Sequence, residues 1–506
     1  IILLPILITT NTYTDYEWYH LPYVNYLNNF KIIFGLVNLS NSYAYGHGWL
    51  EILGIFTLPY VKTKGLIILG FIFFYFFISY LLIEIINHKS KSIKIFSVFL
   101  IVYSLANFNK LSDFGAYIQP TLIIFILILY ILKLTIEKEN MEIFSKIIFY
   151  FFFAMILRIG CIIIFPLILL IILLKIKYLI QFFIKYIRLN IFLILFLFVI
   201  LLKNFIISGC LSYPIYKTCF NNEIVTWASP SDNARERFEL LSAISKRWKF
   251  YTMEEANLDS RFDYFEPMKK GLILSPKDYN NNKFFWLKYW HKDHDVNRLL
   301  NSFLIVLFCF SIFFILSKNR LKSLISLKLI PLRYNIIHIG FISSILMWFF
   351  LSPQMIYGGY AIIGGTLIYY SSLIINKLDI SKNRFKFIVA FILILSSSYY
   401  LSKNINRIIE IDYDELTHLP WPKYSKKVLD IDYKQIFIND TKLNLIIKSE
   451  NMIQGEPIMC GNVDMLCMPD ERVVCISNIE KKNNYIFITN KDNECLLQFK
   501  KNYWQH

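Results

Sequence analysis

Asp15 and Glu17 stand two residues apart in the stretch DYEWYHLP, so an extended backbone turns both carboxylates to one face. Carboxylates that close resist double ionisation, which raises one pKa and suits the pair to general-base work or to holding a divalent cation such as Mg or Mn. Asp15 and Glu17 are therefore the candidate catalytic groups and the candidate ligands if a metal is used; the pattern requires no other cofactor. Tyr19 and His20 follow at once. His20 precedes Leu21-Pro22, where Pro in the first turn opens a helix over about 22–30. The imidazole reads either as a substrate contact or as a packing group. Along that helix Val24, Leu27 and Phe30 fall on one side and Asn25, Asn28 and Asn29 on the other, the pattern of a helix lying on a membrane surface.

Other chemistry-bearing residues are scattered. Asp113 either completes an acidic cluster with Asp15 or caps the next helix. Arg158 is flanked by Leu157 and Ile159 at the end of an apolar run, where a lone cation needs a carboxylate or a lipid phosphate. Lys203 has the same need, or snorkels to the interface on its long stem. Tyr357 sits in SPQMIYGGY, from Ser352 to Tyr360, whose glycines allow a ligand to approach the backbone or helices to pack closely.

The elements that must position these residues are membrane spans. The 506 residues are 56% hydrophobic and 18% aromatic but only 18% charged, with mean hydropathy +0.47, outside the soluble range. Apolar runs of spanning length lie near 65–87, 93–109, 117–135, 144–158, 160–176, 190–207, 298–317, 334–351, 360–376 and 385–402. The opening run, 1–9, is shorter than the ~20 residues a span needs, and the chain starts on Ile, so a first helix cut short is expected. The expectation is an α-helical polytopic membrane protein of about eleven transmembrane helices.

The net charge of +17 would suit nucleic acid, but no basic cluster is interleaved with exposed aromatics as such sites require, so no nucleic-acid partner is expected. The cations instead mark topology. Lys89, Lys91, Lys94, Lys133, Lys138, Lys146, Lys175, Lys177, Lys185, Arg188, Lys318, Arg320, Lys322, Lys328, Arg333, Lys377, Lys382, Arg384 and Lys386 fall in alternate loops, against Lys110 and Arg158 in the opposite short ones. Segments 11–50, 208–297 and 403–506 are thereby placed on the non-cytoplasmic side. Cys210, Cys219, Cys460, Cys467, Cys475 and Cys495 all fall in these outside segments, where disulfides form. Local pairs, Cys210 with Cys219, Cys460 with Cys467 and Cys475 with Cys495, are expected; a zinc site is the rival, and no His has metal-ligand spacing to them. The 403–506 segment ends in alternating runs such as VVCISNI and NNYIFITN and reads as a small α+β extracytoplasmic domain, beside a membrane module over 1–402.

Tyr19-His20-Leu21-Pro22, then Gly35-Leu36-Val37-Asn38-Leu39, then Gly46-x-Gly48-Trp49 leading into a span resemble the first outside loop of bacterial GT-C-type glycosyltransferases, which use polyprenyl-phosphate sugars. Ser112-Asp113 sits where a second acidic loop occurs in that group. The 352–359 loop resembles the group's proline-arginine-tyrosine-glycine loop, with Ile356 where Arg stands, so the phosphate contact passes to Arg158 or a lysine. The resemblance implies a GT-C-like arrangement in the bilayer of a bacterial inner (plasma) membrane, its active site facing the periplasm or exterior. It implies inverting transfer of a hexosyl or pentosyl group from a lipid-linked donor to a glycan, lipid or protein acceptor in cell-envelope glycan or glycolipid synthesis. Asp15 would be the base, Glu17 and Asp113 would orient the acceptor or hold a cation, and Tyr19, His20, Arg158, Lys203 and Tyr357 would bind substrate. The rivals are an oligosaccharide polymerase or ligase and, outside enzymes, a lipid or solute transporter.

Overall fold

The computed structural model describes residues 19–45, 48–57, 66–108, 111, 117–137, 140–248, 274–282, 284–291, 294–317, 332–409, 433–438, 441–446, 466–469, 476–482 and 485–490. Asp15, Glu17, Asp113, Cys460, Cys475 and Cys495 lie outside them. Two compact units separate, one within Ile1–Asn11, Lys64–Leu193 and His294–Lys423, the other within Thr12–Thr63, Ile194–Asp293 and Tyr424–His506.

Helices dominate. Five among the described residues are long and apolar enough to cross a membrane: Ile68–Asn87, Ile118–Ile136, Asn190–Ser208, Asp295–Ile315 and Lys382–Asn406. The bent pair Ile159–Leu174 and Ile176–Lys185 makes six if counted as one span. Their length follows from chemistry, since a run of ~20 residues that satisfies its own backbone groups is what a hydrocarbon layer admits. Asn335–Leu351 and Tyr360–Asn376 are shorter apolar helices, and Lys91–Asn107 and Met141–Leu157 reach 17 residues each. Large apolar side chains such as Phe76, Ile86, Phe198, Leu304 and Ile394 stand exposed on the long helices, as lipid-facing groups do.

In the first unit the Ile118–Ile136 helix is the core. Apolar on every side, it is buried along nearly its whole length, the expected fate of such a helix, and it packs against the Met141–Leu157 helix. Asn140 caps the latter, accepting from the Glu142 N–H at 2.8 Å. Buried charge there is paired: Lys133 reaches Glu84 at 2.7 Å and stands 5.0 Å from the Tyr130 ring centre. Tyr103, fully buried, donates to Ser302 Oγ at 3.0 Å.

In the second unit Pro22 does start a helix, Leu21–Asn29. Its buried face differs from the apolar side read in sequence: Tyr23, Val24, Asn25 and Tyr26 are buried, whereas Leu27 is exposed. Aromatic partners decide this, because Tyr26 packs on Tyr43 at 5.4 Å and Tyr23 on Tyr43 at 6.4 Å. Strand β1, Ile32–Phe34, pairs in parallel with the C-terminal strand β6, Tyr485–Asn490, which pairs antiparallel with β5, Ile476–Lys482. A second three-stranded sheet takes β2, Tyr433–Ile438, β3, Thr441–Ile446, and β4, Leu466–Pro469, the strand that contains Cys467. Phe34 stacks on Phe487 at 4.5 Å. Gly35 follows at φ +75°, where a Cβ would lie 2.4 Å from the Ile488 carbonyl oxygen, so only glycine fits the turn. Strands 476–490 therefore complete a sheet begun at residue 32. Cys210 and Cys219 form a disulfide.

Candidate functional site

Arg158 owes its position to a helix end. The Met141–Leu157 helix closes with the Arg158 N–H on the Ala154 carbonyl, 2.9 Å away, and Arg158 then turns extended (φ −159°, ψ 120°) into the short 3-10 turn Ile159–Ile164. Pro166 opens the next helix, Phe165–Leu174. Facing this turn is the 352–359 loop, tied down by Trp348 Nε1 donating to the Gln354 carbonyl at 2.9 Å. Gly358, at φ +94°, approaches Ile163 so closely that a Cβ would lie 2.2 Å from its Cδ1. That close approach brings Tyr357 to the arginine.

The guanidinium carbon of Arg158 lies 4.0 Å from the Tyr117 ring centre and 5.0 Å from that of Tyr357, and Nη1 donates to the Ile356 carbonyl at 3.3 Å. The cation thus stands over two phenol rings inclined at 61° to each other, contacts that Arg makes more readily than Lys. Among the described residues no carboxylate pairs with it. The group lines a small cleft with Thr121, Cys161, Ile356 and the two tyrosines. A fork of donors with one N–H committed can take a phosphate or carboxylate side-on.

The second unit holds the other sequence candidates. His20 is buried, with Tyr19 edge-on to it at 4.3 Å and Tyr45 edge-on to Tyr19 at 6.2 Å. Arg237, from the Ser231–Ser245 helix, donates to the Tyr45 hydroxyl and lies 5.5 Å from that ring centre. Sequence reasoning missed Arg237: in SDNARERFELL nothing separates it from Arg235, which makes a half-exposed pair with Asp232 at 3.2 Å. Lys203 is ion-paired with Glu51, and the same carboxylate oxygen accepts from the Tyr23 hydroxyl at 3.2 Å. Glu51 was also missed, although it is the lone acid of the Gly48–Ile55 helix that follows the Gly46-x-Gly48-Trp49 motif. Burial, then the Glu51 charge and hydrogen bond, push the Tyr23 phenol well above its ordinary range.

The structure therefore brings Arg158 to Tyr357 and Tyr19 to His20, and gives Lys203 a carboxylate partner. Asp15, Glu17 and Asp113, the residues expected to take acid–base or metal roles, lie outside the described residues. A family model described as a domain of unknown function (DUF8201) matches residues 1–363, a range that takes in Tyr19, Arg158, Arg237 and Tyr357. No curated protein and no solved structure matches the chain.

Proposed function

The chain belongs to this DUF8201 family, and we propose that it is a membrane glycosyltransferase that moves a sugar from a polyprenyl-phosphate donor to an acceptor on the non-cytoplasmic face. The observation that carries the reading is Arg158: a guanidinium standing over the Tyr117 and Tyr357 rings and lining a small cleft, with no carboxylate on it among the described residues. It offers a fixed fork of donors to the phosphate of a lipid-linked sugar, where negative charge grows as the sugar leaves. Lys203, engaged by Glu51, leaves that contact to Arg158. In the full proposal an eleven-span, GT-C-like module over 1–402 carries the site in a bacterial plasma membrane, with 403–506 outside.

In the step, an acceptor hydroxyl oxygen bonds to the anomeric carbon while the bond from that carbon to the phosphate oxygen breaks. Its electron pair stays on the lipid phosphate, and configuration inverts. The hydroxyl proton passes to a carboxylate, assigned to Asp15 by the family resemblance, with Glu17 and Asp113 orienting the acceptor. A positioned base contributes about 100- to 10,000-fold. Purified protein given a labelled polyprenyl-phosphate sugar and detergent-extracted acceptor releases polyprenyl phosphate on this reading, and Asp15→Asn stops the release.

One observation favours a second reading, a lipid or solute transporter: the apolar helix pair Ile159–Leu174 and Ile176–Lys185 is broken by a 90° bend at Lys175, and transporters bind cargo at such breaks. Uptake or flipping of a labelled lipid-linked sugar without its cleavage would support that reading and end the first.

A further inference from the structure

Between the Phe165–Leu174 and Ile187–Ser208 helices the chain forms a separate ten-residue helix, Ile176–Lys185, bent 90° from the one before it. At about 100° per residue its side chains fall into three sectors. Ile176, Ile180, Phe183 and Ile184 share one and stand exposed, Ile184 at 73%. Lys177, Gln181 and Lys185 share the next, also exposed. Phe182 points the third way, fully buried beside Tyr186, and neighbouring Tyr178 meets Phe144 at 6.2 Å. That last sector is the side held by protein.

Both ends of this helix are built. Lys175 (φ −124°, ψ 35°) breaks the preceding helix. Buried Asn190 donates its side-chain amide to the carbonyls of Phe182 at 3.2 Å and Phe183 at 3.3 Å, beside the Tyr186 N–H that closes the helix on the Phe182 carbonyl. Charge is one-sided here: from Ile143 to Asn222 the chain has no Asp or Glu, while Lys177, Lys185 and Arg188 are all exposed.

We propose that the Ile176–Lys185 helix lies in the plane of the bilayer surface, its apolar sector at the acyl boundary, and that Lys177, Lys185 and Arg188 form a site for anionic phospholipid headgroups. A helix with one apolar face and a cationic flank has its lowest free energy in that setting. The occupant is lipid because the apolar sector runs on into exposed Leu173 and Ile187 of the adjoining apolar helices, which need the same acyl contacts. A second copy would set one cationic rim against another. This inference concerns lipid contact and is independent of the transfer reaction.

Two measurements on the full chain in lipid nanodiscs test it. Spin labels at Ile184→Cys and Gln181→Cys, with the parent chain's labelling subtracted, are expected to differ: the first relaxed by oxygen dissolved in lipid, the second by a water-soluble nickel chelate. Equal access of the chelate to both, or no access of oxygen to Ile184→Cys because a second copy covers the face, overturns the placement. Native mass spectrometry then compares retention of phosphatidylglycerol and phosphatidylcholine. Each cation removed is expected to weaken phosphatidylglycerol retention on the order of fivefold, so joint Lys177→Gln, Lys185→Gln and Arg188→Gln lowers it by about a hundredfold without altering phosphatidylcholine. Unchanged phosphatidylglycerol retention in that variant, with the helical circular dichroism of the parent, overturns the headgroup site.

Discussion

Asn38 donates its side-chain amide to the carbonyl oxygen of Ile488, 2.8 Å away across 450 positions of sequence, and to that of Trp227 at 3.1 Å. One buried amide thus joins the loop after β1, the 208–248 segment and strand β6. Asn38→Ala takes the amide donor from one buried and one part-buried carbonyl, and the expected cost is roughly 1–3 kcal/mol. Chemical denaturation followed by Trp fluorescence reads it; an unchanged midpoint would show that water replaces the amide without loss.

Glu51 carries a pair and a hydrogen bond at once. Glu51→Ala leaves the Lys203 ammonium part-buried without its carboxylate, and the expected loss is about 1–3 kcal/mol after discounting for solvent screening. Adding Lys203→Met to Glu51→Ala should restore part of that loss, because the orphaned charge goes with it. If the double variant is as unstable as the sum of the singles, the two residues are not coupled.

Tyr23 sets a pH limit in the same cluster. Its folded pKa is raised above the ordinary phenol value, by burial first and Glu51 second, so the neutral phenol's contribution is fully present below the unfolded value. It is lost only as pH rises through the folded one. Stability should therefore be flat for this group through neutral pH and fall on the alkaline side. Difference phenolate absorbance between the parent and Tyr23→Phe checks it: a Tyr23 signal that titrates with exposed tyrosines contradicts the buried placement.

Arg158→Lys separates charge from shape. Lysine keeps the positive charge but loses the guanidinium's broad contact with the Tyr117 and Tyr357 rings and the fork geometry. Under the proposed reaction, Arg158→Ala lowers kcat/KM roughly 100-fold or more, and Arg158→Lys recovers only a minor part. Full activity in Arg158→Lys would mean that a point charge suffices and the tyrosine cage is incidental.

The Cys210–Cys219 bridge closes a short loop, a sequence separation of 9, for which chain entropy predicts a loss of about 2–3 kcal/mol on Cys210→Ser with Cys219→Ser. Alkylation mass shifts before and after reduction report the bond itself. Labelling of both thiols without reductant would place this loop in a reducing compartment, against the expected topology.

Local chemistry made some of this legible in advance. A run such as Ile118–Ile136 must be a buried or membrane helix whatever surrounds it, because its backbone can satisfy only itself and no face is polar. Pro22 in a first turn and Cys210 near Cys219 are likewise short-range signals. Leu27 against Asn25 shows where that ends: which side of the Leu21–Asn29 helix is buried depended on Tyr43, which helix periodicity does not reveal.

The membrane-length runs and the alternating cations were thus determined by the sequence itself, because hydrophobic length and charge act position by position. The tertiary structure alone decided which cation keeps its charge open to a ligand. Lys203 and Arg158 look alike as single cations in apolar runs, yet one meets Glu51 and the other meets two tyrosine faces and the Ile356 carbonyl, 198 positions away. Pairing is a property of distance in space, and no spacing along the chain encodes it.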